Sequence, residues 1–146
     1  ALYLAAVAFV ATTGSVATSR GMDWYDMVEK PGFTPPGWVF GPVWTALNIA
    51  MAVAAWVVHR TPRAAVPLTA WWVQLALNLG WSWLFFGLER PGLALIEITL
   101  LIAAVAASVF AFLAKGRLAA GLMVPYLVWV CFATTLNFEI WRLNGD

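Results

Sequence analysis

Five apolar stretches divide the chain, each close to the roughly 20 residues that a helix needs to cross the hydrocarbon layer of a bilayer. They run from Ala1 to Thr18, Trp38 to Val58, Pro67 to Leu88, Gly92 to Ala114 and Leu118 to Trp141. Three of the separators, His59 to Val66, Glu89 to Pro91 and Lys115 to Arg117, are short and either polar or rich in Pro and Gly. Connections this short hold consecutive helices antiparallel, which predicts an up-and-down bundle of five transmembrane helices in one domain spanning 1–146. The first stretch has no charged residue ahead of it and is long for the apolar part of a signal peptide, so it is expected to be a true span.

The fourth separator, Ser19 to Gly37, is longer. It contains Trp24 and Tyr25 and then the run Lys30-Pro31-Gly32-Phe33-Thr34-Pro35-Pro36-Gly37-Trp38. Long connections in compact domains tend to be functional or disordered, and the prolines here favour an ordered loop that lids one end of the bundle. A solvated connector with Trp24 and Tyr25 anchored at the membrane interface is the plainer alternative.

Helical periodicity sorts the spans into faces. At about 100° per residue, Trp71, Gln74, Asn78, Trp81 and Phe85 share a sector of about 80° on the third helix. Amides in lipid must find partners, so this stripe faces protein, water or a ligand. Two readings fit: a ligand cavity walled by rings and keyed by Gln74 and Asn78, or structural hydrogen bonds between helices. The opposite face carries Ala76, Gly80, Trp83 and Gly87, and its small residues permit close helix approach, within the bundle or between two subunits. Trp44 and Asn48 lie one turn apart on the second helix. On the fifth, Tyr126, Trp129, Ala133 and either Leu136 or Asn137 follow one side, and Pro125 removes a backbone hydrogen bond.

Composition agrees with a membrane protein: 63% of the 146 residues are hydrophobic and 10% charged, where a soluble domain has about a quarter charged. A net charge of +1 gives no reason to expect nucleic acid as a partner. Basic residues tie between the two ends, with Arg60, Arg63, Lys115 and Arg117 against Arg20, Lys30, Arg90 and Arg142. The density of the first group in short loops points to a cytoplasmic N-terminus. Glu97 is the acid well inside a span, about 8 Å from the start of its helix, and snorkelling to the interface is its expected role. His59 reads as an interfacial residue. With one Cys, Cys131, and one His, no metal centre is expected, and no catalytic triad, zinc motif or nucleotide-binding glycine pattern is present. No catalytic residue and no cofactor is therefore assigned.

Two motifs then resemble a known family. Trp24-Tyr25-Asp26, Glu29-Lys30-Pro31 and Thr34-Pro35-Pro36-Gly37-Trp38-Val39-Phe40-Gly41-Pro42-Val43-Trp44-Thr45 are similar to the first loop and second helix of the TspO/MBR family of tryptophan-rich membrane proteins. Pro125-Tyr126-Leu127-Val128-Trp129 and Phe132-Ala133-Thr134-Thr135-Leu136-Asn137-Phe138 are similar to its fifth helix. The resemblance covers the whole chain. It implies a five-helix bundle, commonly a homodimer. It also implies a cavity for porphyrins such as protoporphyrin IX that accepts benzodiazepine-type ligands too. By motif position the ligand-binding residues would be Trp44, Asn78, Trp81, Trp129, Ala133 and Leu136, joined by Gln74 from the stripe, with Trp24 and Tyr25 in the lid. Ala76, Gly80 and Gly87 would form the dimer interface. Phe138 stands where sterol-binding members carry a tyrosine, which argues against a sterol partner. The implied function is transport or sensing of tetrapyrroles. Light-dependent porphyrin degradation and a regulatory role in a larger assembly are the alternatives. The setting is a multi-pass position in a bacterial inner or outer membrane.

Overall fold

The computed structural model describes residues 2–35 and 37–145, and all its regular elements are helical. Helix α1 is Leu2–Met27, α2 is Gly37–His59, α3 is Ala65–Ser82, α4 is Pro91–Leu113 and α5 is Arg117–Asn144. A π-helical segment, Trp83–Gly87, continues α3. Going round the bundle the order is α1, α2, α5, α4, α3, and α3 closes back on α1. Turns at 60–64, 88–90 and 114–116 join consecutive helices. Gly116, at φ 149°, closes the last of these in a backbone conformation that side chains disfavour. Pro91 opens α4, where its missing N–H costs nothing.

Residues at the centre of the bundle are large and apolar: Met51, Trp71, Ile98, Leu101, Phe112, Met123 and Tyr126 are almost fully buried. The outer faces are apolar as well. Phe9, Ile96, Phe110 and Val128 are each more than 60% exposed, with no polar face opposite, as expected where hydrocarbon rather than water surrounds the helices. By length and apolarity, Leu2–Met27, Val39–His59, Pro91–Leu113 and Arg117–Asn144 are each able to span a bilayer. The third sequence segment is packed among them but is less apolar, because Gln74, Asn78 and its indoles dilute the aliphatic residues. Five helices are thus present as expected, four of them with an unambiguous spanning composition.

The first connection differs from expectation. α1 does not stop near Thr18 but continues to Met27, so Trp24 and Tyr25 sit on its last turns rather than in a loop. The reason is a change of pattern rather than its end. Gly21, Trp24, Tyr25 and Val28 face the bundle, whereas Arg20, Asp23 and Asp26 are exposed, which is an amphipathic continuation of an apolar helix. Lys30 folds back to donate from Nζ to the carbonyl oxygens of Tyr25 (2.6 Å) and Val28 (3.1 Å), stopping the helix by occupying its free carbonyls. The connector shrinks to a short strap, residues 28–36, in which Pro36 lies outside the described residues. Asn144 ties this strap to the end of α5: its side chain accepts from the Glu29 N–H (2.9 Å) and donates to the Glu29 carbonyl (2.8 Å).

Candidate ligand site

Pro42 lies inside α2 and Pro125 inside α5, and the faces near them form the two walls of a groove between these helices. Its volume is about 470 Å³, and it is lined by Val43 and Leu47 from α2, Pro125, Val128, Trp129 and Phe132 from α5, and Pro35 from the strap. A volume of this order falls within the roughly 300–1,000 Å³ of ordinary small-molecule sites. The α5 residues recur at i, i+3, i+4 and i+7, and the α2 residues at i and i+4. That spacing could have identified the walls in the sequence. It was masked there by the polar and aromatic residues, which drew the reading to neighbouring positions.

An aromatic series crosses the groove and enters the core. Phe33 of the strap meets Phe132 at 6.1 Å between ring centroids, Phe132 meets Trp129 at 5.5 Å, and Trp129 meets Trp44 edge-on at 6.1 Å and 90°. Phe40 covers Trp129 at 5.7 Å, and Trp44 touches Tyr126 at 6.2 Å. The indole Nε1 of Trp129 is buried with no acceptor among the described residues. Buried indole N–H groups normally have a partner, which makes this one unusual.

The stripe on α3 is inside the bundle, and its polar groups bridge helices. Asn78 donates to the Tyr126 hydroxyl at 2.6 Å, and Trp71 Nε1 donates to the Met51 carbonyl at 3.1 Å. Trp81 Nε1 donates to Asn137 Oδ1 at 2.9 Å, and Asn137 passes the connection on to the Pro91 carbonyl at 2.9 Å. Gln74 is fully buried, with its amide nitrogen 3.7 Å from the Met51 sulfur and its Oε1 without a partner. In this packing Asn78 and Trp81 act as interhelical connectors, while Trp129 stands at the groove with Trp44 behind it.

Trp81 belongs to a second aromatic cluster at the same end of the bundle. It stacks on Phe85 (5.1 Å, 23°), and Trp24 and Tyr25 of α1 pack on Phe85 and Phe86. Leu136 is buried in that cluster, and Ala133 is buried in the main core. The structure therefore brings Trp44, Trp129 and Asn78 together through Tyr126, and groups Trp81 and Leu136 with Trp24 and Tyr25. Tyr126 and Asn137, absent from the residues assigned by motif, are the joints of this network.

The small face of α3 is split. Ala76 is exposed, whereas a methyl added at Gly80 would touch the Glu97 carboxyl of α4 at 3.7 Å. At Gly87 an added methyl would lie 2.7 Å from the ring of Trp83 in the same π segment. His59, at the end of α2, pairs through Nδ1 with the Tyr3 hydroxyl (2.7 Å) and stacks on Trp56.

A helical bundle with apolar outer faces, joined by short turns and wetted only at its ends, defines a multi-pass membrane protein. The chain belongs to the TspO/MBR family, whose model matches residues 2–142. It is 43% identical over 130 residues to the translocator protein of Homo sapiens, covering 86% of this chain and 77% of that one. It is 40% identical over 144 residues to the tryptophan-rich sensory protein of Cereibacter sphaeroides, covering 99% and 90%. The protein CrtK of Rhodobacter capsulatus is 36% identical over 148 residues, covering 99% and 91%.

Proposed function

We propose that this protein serves membrane sensing or transport by binding a flat tetrapyrrole, such as protoporphyrin IX, in the groove between α2 and α5. The observation that carries this reading is the groove itself: an open apolar groove of about 470 Å³ lined by Pro35, Trp129 and Phe132 among others. A macrocycle presents two apolar faces, and indole and phenyl rings contribute most when they lie against such a face. The unpartnered Trp129 N–H supplies a directional donor to an acceptor on the ligand. Pro125 and Val128 are exposed on the outer side, so an apolar ligand has a route in from the bilayer. Asn78 connects to the groove through Tyr126 and Trp44, while Gln74, Trp81, Ala133 and Leu136 are packed deeper in the bundle. Trp24 and Tyr25 hold the strap from α1. The direct test is titration of the purified protein with protoporphyrin IX, following tryptophan quenching and the porphyrin absorption band. Saturable quenching with one ligand per chain is expected. Linear, unsaturable quenching would reject the site.

A homodimer is proposed along α3, with Ala76 at its centre because Ala76 is exposed where Gly80 and Gly87 are partly occupied by Glu97 and Trp83. Ala76→Leu should shift the protein toward monomer in detergent, measured by light scattering against wild type. An undiminished dimer in that variant places the interface on another helix.

A further inference from the structure

Glu97 does not snorkel. It lies on α4 against Gly80 of α3, and both of its carboxyl oxygens are buried with no hydrogen-bond partner among the described residues. Among the described residues, the helices packed on α4 place no basic side chain at the depth of Glu97, and Arg90, ahead of α4, stands about two helical turns from it. α3 and the π segment contain no ionisable side chain, and α4 contains none besides Glu97 itself. On α5, Arg117, Glu139 and Arg142 lie near the ends of the helix and Cys131 is exposed. Tyr126 is the further titratable group on α5, buried in the core, and its hydroxyl already accepts from Asn78 at 2.6 Å. An ionised carboxylate held this way would carry the full cost of desolvation with nothing to offset it, and such groups neutralise instead. Glycine at position 80 faces this carboxyl: an added methyl would reach it at 3.7 Å, ordinary van der Waals contact, and a side chain longer than alanine would have to displace it.

We propose that Glu97 is a membrane-buried proton-binding site: it is a neutral carboxylic acid in the packed bundle, and loss of its proton parts α4 from α3 at Gly80. The neutral acid belongs to the packed state. Packing at this seam is therefore favoured at lower pH and weakened as pH rises far enough to ionise Glu97 in place. The proposal is independent of the ligand groove, which lies between α2 and α5.

Infrared spectroscopy of the wild-type protein in lipid tests it. A neutral carboxyl C=O band is expected at pH 7, shifting on H/D exchange. Asp23, Asp26, Glu29 and Glu89 are exposed and Glu139 is paired with Arg142 at 2.6 Å, so Glu97 is the buried, unpaired carboxyl among the described residues. Asp146 lies outside the described residues, and Asp146→Asn serves as the control that leaves the band in place. Glu97→Gln should remove the band and keep the packing, because an amide is an uncharged replacement of the same shape. If that variant does not fold, the wild-type band still decides: its absence at neutral pH overturns the proposal. Raising the pH should abolish the band and lower the protection of the amides around Gly80, measured as exchange relative to the intrinsic rate at each pH, in wild type. Loss of the band with unchanged protection there overturns the opening of the seam.

Discussion

Trp129→Ala should weaken protoporphyrin IX binding about tenfold, and Trp44→Ala by a smaller factor. Trp129 forms a wall of the groove, and its ring is held between Phe40 and Phe132. Removing it takes away one aromatic face and a free donor. A ring pair contributes about 0.5–1.5 kcal/mol beyond its buried area, and about 1.4 kcal/mol is one factor of ten in affinity. Trp44 stands behind Trp129, perpendicular to it at 6.1 Å, and is not itself a groove wall. Its loss lets Trp129 turn, an indirect and smaller effect. Because the two rings touch, the double variant should lose less than the sum of the single losses. Trp129→Phe keeps a ring and should recover most of the affinity, leaving only the loss of the indole donor. Binding is best read from the porphyrin absorption band, since the variants alter the tryptophan signal itself. Wild-type affinity in both alanine variants, with helix content intact, would remove the ligand from this groove.

The fold was legible because membrane helices announce themselves by length and apolarity. Where that criterion stopped, so did the reading. Hydropathy ends at Thr18 because Arg20, Asp23 and Asp26 follow, yet the helix continues as an amphipathic one to Met27. A moment-based reading of residues 20–28 would have found it, since Gly21, Trp24, Tyr25 and Val28 keep the inward spacing. The π segment had no signal in the pattern, because it adds a single backbone step that leaves the aromatic composition unchanged. The stripe on α3 was legible as inward-facing, but periodicity does not distinguish a wet cavity from a hydrogen-bonded seam. That distinction depends on whether a partner such as Tyr126 or Asn137 arrives opposite each amide or indole, which is a property of two helices together. Glu97 illustrates the same limit. Its depth along α4 was readable, but the space left for it by Gly80 on another helix was not.

Gly21 shows how much one missing side chain can matter where α1 crosses the π segment. Leu88 N–H bonds to the Trp83 carbonyl at 2.8 Å, five residues back, so the turn is widened and its backbone swells toward α1. Gly21 is buried on that bulge. A methyl group there would lie 2.7 Å from the Phe86 Cα and would collide with the Phe86 carbonyl oxygen. The obstacle is backbone rather than a flexible side-chain tip, so α1 itself must move away. Overpacking of this kind costs about 1–3 kcal/mol and sometimes more, and Gly21→Ala should fall at the upper end. Separating α1 here would also loosen Trp24 and Tyr25 from Phe85 and Phe86, and with them the root of the strap. Gly41 in α2 and Gly121 in α5 provide the contrast, since a methyl at either meets nothing within 4 Å. Alanine at those positions should stabilise slightly, by up to about 1 kcal/mol, because it removes the entropic cost of glycine in a helix. Thermal unfolding of the three variants in one detergent checks the sign of each: Gly21→Ala must lower Tm while the other two leave it equal or higher. A Gly21→Ala protein as stable as wild type would mean that α1 does not ride on the π turn at Phe86.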